Sequence, residues 1–122
     1  MTEEHYSFPS SLRLRKPSEY KKVFANPTKS TDKYFTLLAI ESEFEHSRLG
    51  LVIAKKTIRR AVDRNALKRV IRESFRIQQR QLGTMDIVVL ARKEALDVSW
   101  TQLRCSLQKH WIKLKNRCNS YS

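Results

Sequence analysis

The amino-acid sequence predicts a single α+β domain of 122 residues, a sandwich of helices against a small sheet. Three observations carry that prediction. Short apolar runs bounded by polar turns occur three times and read as strands. Three other segments repeat apolar residues at i, i+3 and i+4, as amphipathic helices do. The order is helix, two strands, helix, strand, helix, which suits helices layered on a sheet. A chain of this length buries roughly two-thirds of the surface its unfolded form exposes, enough for one core.

Residues 1–11 read as a loose end, leaving an ordered core over about residues 8–115 between flexible termini. From Leu12, "LRLRKPSEYKKVFANP" predicts a short helix entered through Pro17, which suits a first helical position, and stopped by Asn26 and Pro27. Tyr20, Val23 and Phe24 share one face of it. "KYFTLLAIE" and "RLGLVIAKK" predict two strands joined through a hairpin loop around "SEFEHS". Gly50 inside the second marks a bulge or a close approach to the backbone. Next comes "RRAVDRNALKRVIRESFR", residues 59–76, where Leu67, Val70, Ile71, Ser74 and Phe75 form a buried stripe. Asn65, Lys68, Arg69, Arg72 and Arg76 gather on the opposite side. Gly83 in "QLGTMD" is a candidate left-handed helix cap, and "MDIVVLARK" is the third strand. Ser99 with Gln102 reads as a capping box opening a last helix, whose apolar side is Trp100, Leu103, Leu107, Trp111 and Leu114. Both tryptophans read as core. The strand-helix-strand passage through the basic helix ordinarily implies a right-handed crossover if the strands pair in parallel.

Charge restricts the partners. Twenty-five Lys and Arg against 12 Asp and Glu give a net charge of +13, which repels itself in the compact state unless a polyanion neutralises it. The apolar runs fall far short of the ~20 residues that span a bilayer. The first ten residues carry neither a basic nor an apolar signal region, so no secretory signal is expected. Cys105 and Cys118 read as incidental thiols of a reduced, cytoplasmic protein, with a disulfide or zinc site as the alternative.

Catalytic groups are not expected in the protein. Two glycines cannot build a phosphate-binding loop, and His5, His46 and His110 are scattered. His46, beside Glu41, Glu43 and Glu45, reads as part of a solvated acidic turn. Glu73 reads as the local partner of Arg69 or Arg76. No metal site can be assembled, and no pair of acid-base groups.

Residues 54–76, "AKKTIRRAVDRNALKRVIRESFR", closely resemble the signature of the bacterial ribonuclease P protein component. "FPSSLRLRKPSEYKKVF" resembles that family's N-terminal helix, and "RLGLVIAKK" and "MDIVVLARK" its strands, so the likeness spans residues 8–115. One position departs: the family's Arg-Asn-Arg is here Arg64, Asn65, Ala66, and the missing cation's role is absent or falls to Arg60 or Lys68. The resemblance implies an accessory subunit of an RNA-based endonuclease. In this family a catalytic RNA removes the 5′ leader of precursor tRNA with Mg2+ bound mainly by the RNA, and the protein binds that RNA and the leader. It also implies a sandwich similar to a domain of a small-subunit ribosomal protein, with a left-handed strand-helix-strand crossover. The expected partners are the ribonuclease P RNA, precursor tRNA and other structured RNAs, with no DNA and no membrane.

By the same resemblance, Lys55, Lys56, Arg60, Arg64, Asn65, Lys68, Arg69 and Arg72 are the expected ribozyme contacts. Guanidinium groups suit phosphate bidentately and ammonium groups as point charges. Arg59 extends the same positive surface. Tyr20 and Phe24 match an aromatic pair lining a cleft for the single-stranded leader, where stacking tolerates any base. Core packing is the competing reading of both, more so for Phe24. Thr36 and Leu38, alternating with Tyr34 onto one strand face, and Arg13 and Arg15 beside the first helix complete the expected leader contacts. Three other readings stand beside this one: a structural RNA-binding module on a similar fold, a DNA-binding regulator with the basic helix as reader, and a metal-dependent nuclease acting alone. The second of these lacks a partner helix before the basic one.

Overall fold

A computed structural model describes residues 10–119 of the chain, with side chains over residues 11–117. The loose start and His5 therefore lie outside the described residues, apart from the short 3-10 turn Ser10–Leu12. The side chain of Cys118 is likewise outside them, whereas Cys105 is an exposed free thiol. Helix α1 spans Pro17–Ala25, and strands β1, β2 and β3 span Thr28–Thr31, Phe35–Glu41 and Arg48–Val52. Helix α2 follows over Ala61–Gln78, then β4 over Met85–Ala91, a 3-10 turn over Lys93–Asp97, and helix α3 over Trp100–Asn119. The α+β class holds. Among the described residues no helix is long and apolar enough to cross a membrane.

The sheet has four strands in the order β1-β2-β4-β3, which corrects the sequence reading twice. Strand β1, "TKST", is not among the expected strands: only Ser30 of its four residues is buried, so no apolar alternation marks it. It is a short polar edge strand antiparallel to β2. The second correction is that β2 and β3 are not a hairpin, because β4 lies between them, antiparallel to β2 and parallel to β3. Met85 to Val89 are all buried, Asp86 through its ion pair with Arg48, and burial on both faces is what a central strand requires.

Register sorts the side chains onto two faces. Phe35, Leu37 and Ala39 of β2, Met85, Ile87 and Val89 of β4, and Leu49 of β3 face α2 and α3. There they meet the predicted α2 stripe of Leu67, Val70, Ile71 and Phe75, with Leu103, Leu107, Trp111 and Leu114 of α3. Phe75 and Trp111 pack edge to face at 5.9 Å, and Trp111 Nε1 donates to Ser74 Oγ at 2.7 Å, which explains a serine within the stripe. Trp100 departs from expectation: it is 42% exposed at the first position of α3 rather than in the core. Only half of the capping box forms. The Gln102 amide donates to Ser99 Oγ at 3.1 Å, but its side chain instead donates to Tyr34 Oη. Tyr34 accordingly turns toward α3, away from the face expected to hold Thr36 and Leu38. Gly83 does take a left-handed φ of 82°, but it follows a turn over residues 79–82 and does not cap α2 directly.

A buried polar cluster joins α3 to the β1–β2 turn. His110, 2% exposed, sits 2.6 Å from Ser30 Oγ through Nδ1, and its Nε2 lies 3.0 Å from Asp32 Oδ2. Asp32 also accepts from Ser106 Oγ and from the Tyr34 and Phe35 amides, which shapes the turn.

Candidate nucleic-acid interface

The other sheet face carries a small core: Leu38 and Val88 under Val23 of α1 and Leu14 of the segment before it. Tyr20, Ile40, Val52 and Leu90 are half-buried at its margin. Helix α1 covers the end of the sheet near Arg48 and Asp86. At the opposite end Thr36, Leu90 and Val52, which are neighbours across three strands, are half-buried, less covered than Leu38 and Val88 beneath α1.

Tyr20 of α1 lies on this face directly over Gly50. A Cβ on Gly50 would lie 2.7 Å from Tyr20 Cε2 and 2.9 Å from its Oη, so the ring occupies the space a side chain would take. The close approach expected at Gly50 is therefore the Tyr20 ring. Its hydroxyl donates to the Leu14 carbonyl at 3.2 Å. One turn on, Phe24 is 45% exposed, which removes it from the core. Leu38 is corrected in the opposite direction. It lies on the expected face, but α1 covers it and leaves it 7% exposed, a packing residue with little surface for a ligand. Thr36 is half-buried and its Oγ1 accepts from Arg92 Nη2 at 3.4 Å. Arg92 is absent from the residues that sequence reasoning selects, although it follows Leu90 by two residues and so shares its side of the strand.

The basic residues divide by setting. Strand β3 ends at Val52, before "AKK", and Lys55 and Lys56 are exposed on a turn closed by the Thr57 and Ile58 amides donating to the Ala54 carbonyl. Buried Ile58 anchors this link, and Arg64 Nη1 donates to the carbonyls of Ile58 and Arg59 at 2.9 and 2.8 Å. Part of the Arg64 donor set thus shapes the link. Arg60 is exposed and pairs loosely with Asp63 at 3.7 Å, while Glu73 binds Arg76 rather than Arg69. Asn65 and Arg69 are exposed and Lys68 half-buried on the outer side of α2. Arg72 is half-buried toward α1: burial lowers its pKa, the like charge of Arg13 lowers it further, and Tyr20 opposes. Arg72 is thus within electrostatic range of Arg13 and Tyr20, whereas Arg15 is exposed with its amide bonded to Glu19. Ala66 leaves a half-buried methyl in the third position of the basic triplet.

Among the described residues no three His, Cys, Asp or Glu side chains converge, and Asp63 and Glu73 are engaged with arginines. His46 is tied to the Ser11 carbonyl at 2.7 Å and is half-buried, more constrained than the solvated turn expected.

Comparison with known proteins agrees with this architecture. The Ribonuclease P family model matches residues 8–115. The chain is 48% identical over 117 residues to the ribonuclease P protein component of Methylococcus capsulatus, covering 96% of this chain and 91% of that one. The RNase P protein of Staphylococcus aureus superposes with a TM-score of 0.78 at 30% identity, covering 88% of this chain and 98% of that structure. The Thermotoga maritima RNase P protein gives 0.70 at 31% identity, over 81% and 94%. The chain belongs to the ribonuclease P protein component family, a family of tRNA-processing, RNA-associated proteins.

Proposed function

We propose that this protein is the RNA-binding subunit of a ribonuclease P holoenzyme, acting as one domain over residues 1–122. The catalytic RNA cuts the 5′ leader from precursor tRNA, with Mg2+ held mainly by the RNA, and the protein does not cleave alone. Its outer α2 face, with Asn65, Lys68, Arg69 and Arg72, docks on the catalytic RNA, assisted by Lys55, Lys56, Arg60 and the free part of Arg64. The leader lies in the cleft beside α1, where Tyr20 and Phe24 stack on bases, with Thr36 on its floor and Arg13, Arg15 and Arg92 near its phosphates. Leu38, on the same face but covered by α1, packs behind that floor. The observation that carries the reading is the pairing of two features on α1's side of the sheet: the half-buried Tyr20 and exposed Phe24 on α1, above a sheet face whose far end is only half-buried, and Arg72 and Arg13 within electrostatic range of Tyr20 and of each other. Base-tolerant stacking next to phosphate-binding cations suits single-stranded RNA of varied sequence. A DNA-reading role is disfavoured because a strand and a turn, not a helix, precede α2. The proposed setting is the bacterial cytoplasm, with precursor tRNA and other structured RNAs as substrates.

The test is cleavage of 5′-labelled precursor tRNA at low magnesium by a bacterial ribonuclease P RNA alone, the protein alone, and both. Correct cleavage in the mixture only is expected. A mixture no better than the RNA alone would replace this reading with a structural RNA-binding module.

A further inference from the structure

Helix α1 holds the wall of the cleft, yet its apolar anchorage is thin. Of its nine residues only Val23 is buried. One aliphatic side chain fixes distance but not direction, since apolar packing is non-directional. Besides the half-buried Tyr20 ring over Gly50, what holds α1 to the sheet is a set of ionic hydrogen bonds at its start.

The Glu19 carboxylate divides its two oxygens. Oε1 accepts from the Arg15 and Lys16 amides at 2.7 and 3.0 Å, closing the start of α1. Oε2 accepts from Arg48 Nη1 at 2.8 Å. The remaining edge of that guanidinium grips Asp86 on β4 fork to fork, Nε to Oδ1 at 3.0 Å and Nη2 to Oδ2 at 2.8 Å. The Phe44 ring lies 4.3 Å from the guanidinium carbon, and the Arg48 side chain is 11% exposed. Three elements thus converge on one rigid planar group: β3 carries it, β4 orients it, and α1 hangs from it by the residue immediately before Tyr20.

We propose that Arg48, oriented by Asp86, is a positioning residue that acts through Glu19 to set the angle of α1, and with it the position of the Tyr20 ring beside Thr36, Leu90 and Val52. The inference rests on the leader-cleft reading above. A planar fork suits this task where a lysine does not, because its donors lie in fixed directions. A buried ion pair is weak evidence for stability by itself, and its better-attested use is to specify one arrangement among several.

The test uses reconstituted holoenzyme and measures three quantities for Glu19→Gln and Arg48→Lys: affinity for precursor tRNA, affinity for mature tRNA without a leader, and affinity of the protein for the catalytic RNA. Tyr20→Ala and the Glu19→Gln/Tyr20→Ala double variant complete the set. Each single variant is expected to lower the preference for leader-bearing tRNA by roughly fivefold, the lower end of what one stacked base contributes. Affinity for the catalytic RNA should hold, and the double variant should lose no more than Tyr20→Ala alone. A merely structural role would weaken catalytic-RNA binding together with leader preference, and would overturn the proposal. So would losses that multiply in the double variant, or unchanged leader preference in Glu19→Gln and Arg48→Lys while Tyr20→Ala loses it. A silent Tyr20→Ala would instead remove the leader-cleft reading itself, and this proposal with it.

Discussion

Gly50→Ala is a one-carbon perturbation that tests the placement of Tyr20 directly. The added Cβ would lie 2.7 Å from Cε2 and 2.8 Å from Cζ. Carbon atoms that touch prefer about 3.5–4.0 Å, so the ring must retreat by roughly 0.8 Å or more. Overpacking of this kind costs about 1–3 kcal/mol. The retreat also strains the 3.2 Å bond from the Tyr20 hydroxyl to the Leu14 carbonyl, a contribution of about 0.5–1.5 kcal/mol. Against these, Gly50 does not have a positive φ, so alanine fits the backbone and gains about 0.4–1 kcal/mol through the unfolded state. The net expectation is a loss of about 1–3 kcal/mol, or about 3–6 °C in Tm for each kcal/mol in a domain of this size. Thermal and urea unfolding of Gly50→Ala, Tyr20→Ala and the double variant would measure it. In Tyr20→Ala the vacated space accepts the methyl, so the second substitution should then cost nothing. Losses that simply add, or a Gly50→Ala protein as stable as the parent, would refute the stacking of Tyr20 on the glycine.

Two further outcomes follow from charge. Burial lowers the His110 pKa, an effect that Asp32 opposes and Lys113 reinforces, so the folded protein keeps this imidazole neutral to lower pH than the unfolded chain does. The unfolded state then binds more protons, so the contribution is intact above about pH 6.5 and declines as pH falls through the lowered folded value. Urea midpoints measured from pH 8 to 5 should show this decline, and His110→Gln should flatten it. Separately, Lys68→Ala and Arg69→Ala should each reduce the slope of log affinity against log salt for the catalytic RNA by about 0.7–0.9 for every phosphate that is no longer neutralised. Unchanged slopes would mean that these side chains face solvent in the complex.

How much of the fold is legible in the sequence follows from the range of the interaction that writes it. Helix α2 is readable on both sides because its buried stripe and its cations repeat along one helix, and the structure buries Leu67, Val70, Ile71 and Phe75 as the period requires. The alternation of β2 correctly puts Thr36 and Leu38 on one face, but the cover over Leu38 comes from α1. Strand β1 is invisible because its polar residues owe their place to pairing with β2 and to the His110 cluster, not to a pattern of their own. The insertion of β4 between β2 and β3 is signalled weakly, by an apolar run that does not alternate. Trp100 illustrates the converse: its spacing fits the apolar side of α3, yet it lies at the helix end, where the core has run out. The Arg48–Asp86 fork lies 38 positions apart in sequence and is created only by parallel pairing of β3 and β4.

The distribution of carboxylates explains how a chain with a net charge of +13 keeps the cations of one face unpaired. Glu19 and Asp86 are committed to Arg48, and Asp32 to His110, Ser106 and the turn amides. Helix α2 has two acids, and both lie toward its ends, with Asp63 near Arg60 and Glu73 on Arg76. Between them Lys68, Arg69 and Arg72 have no ion pair among the described residues. Pairing those cations internally would have quieted the self-repulsion, but it would also have left RNA phosphates to compete with a built-in anion. The opposite side of the same helix is fixed in the core by Leu67, Ile71 and Phe75, all fully buried. The fold therefore supplies rigidity from one side of α2 and withholds neutralisation on the other, so a polyanion docked there, as proposed, would relieve a repulsion that folding leaves in place.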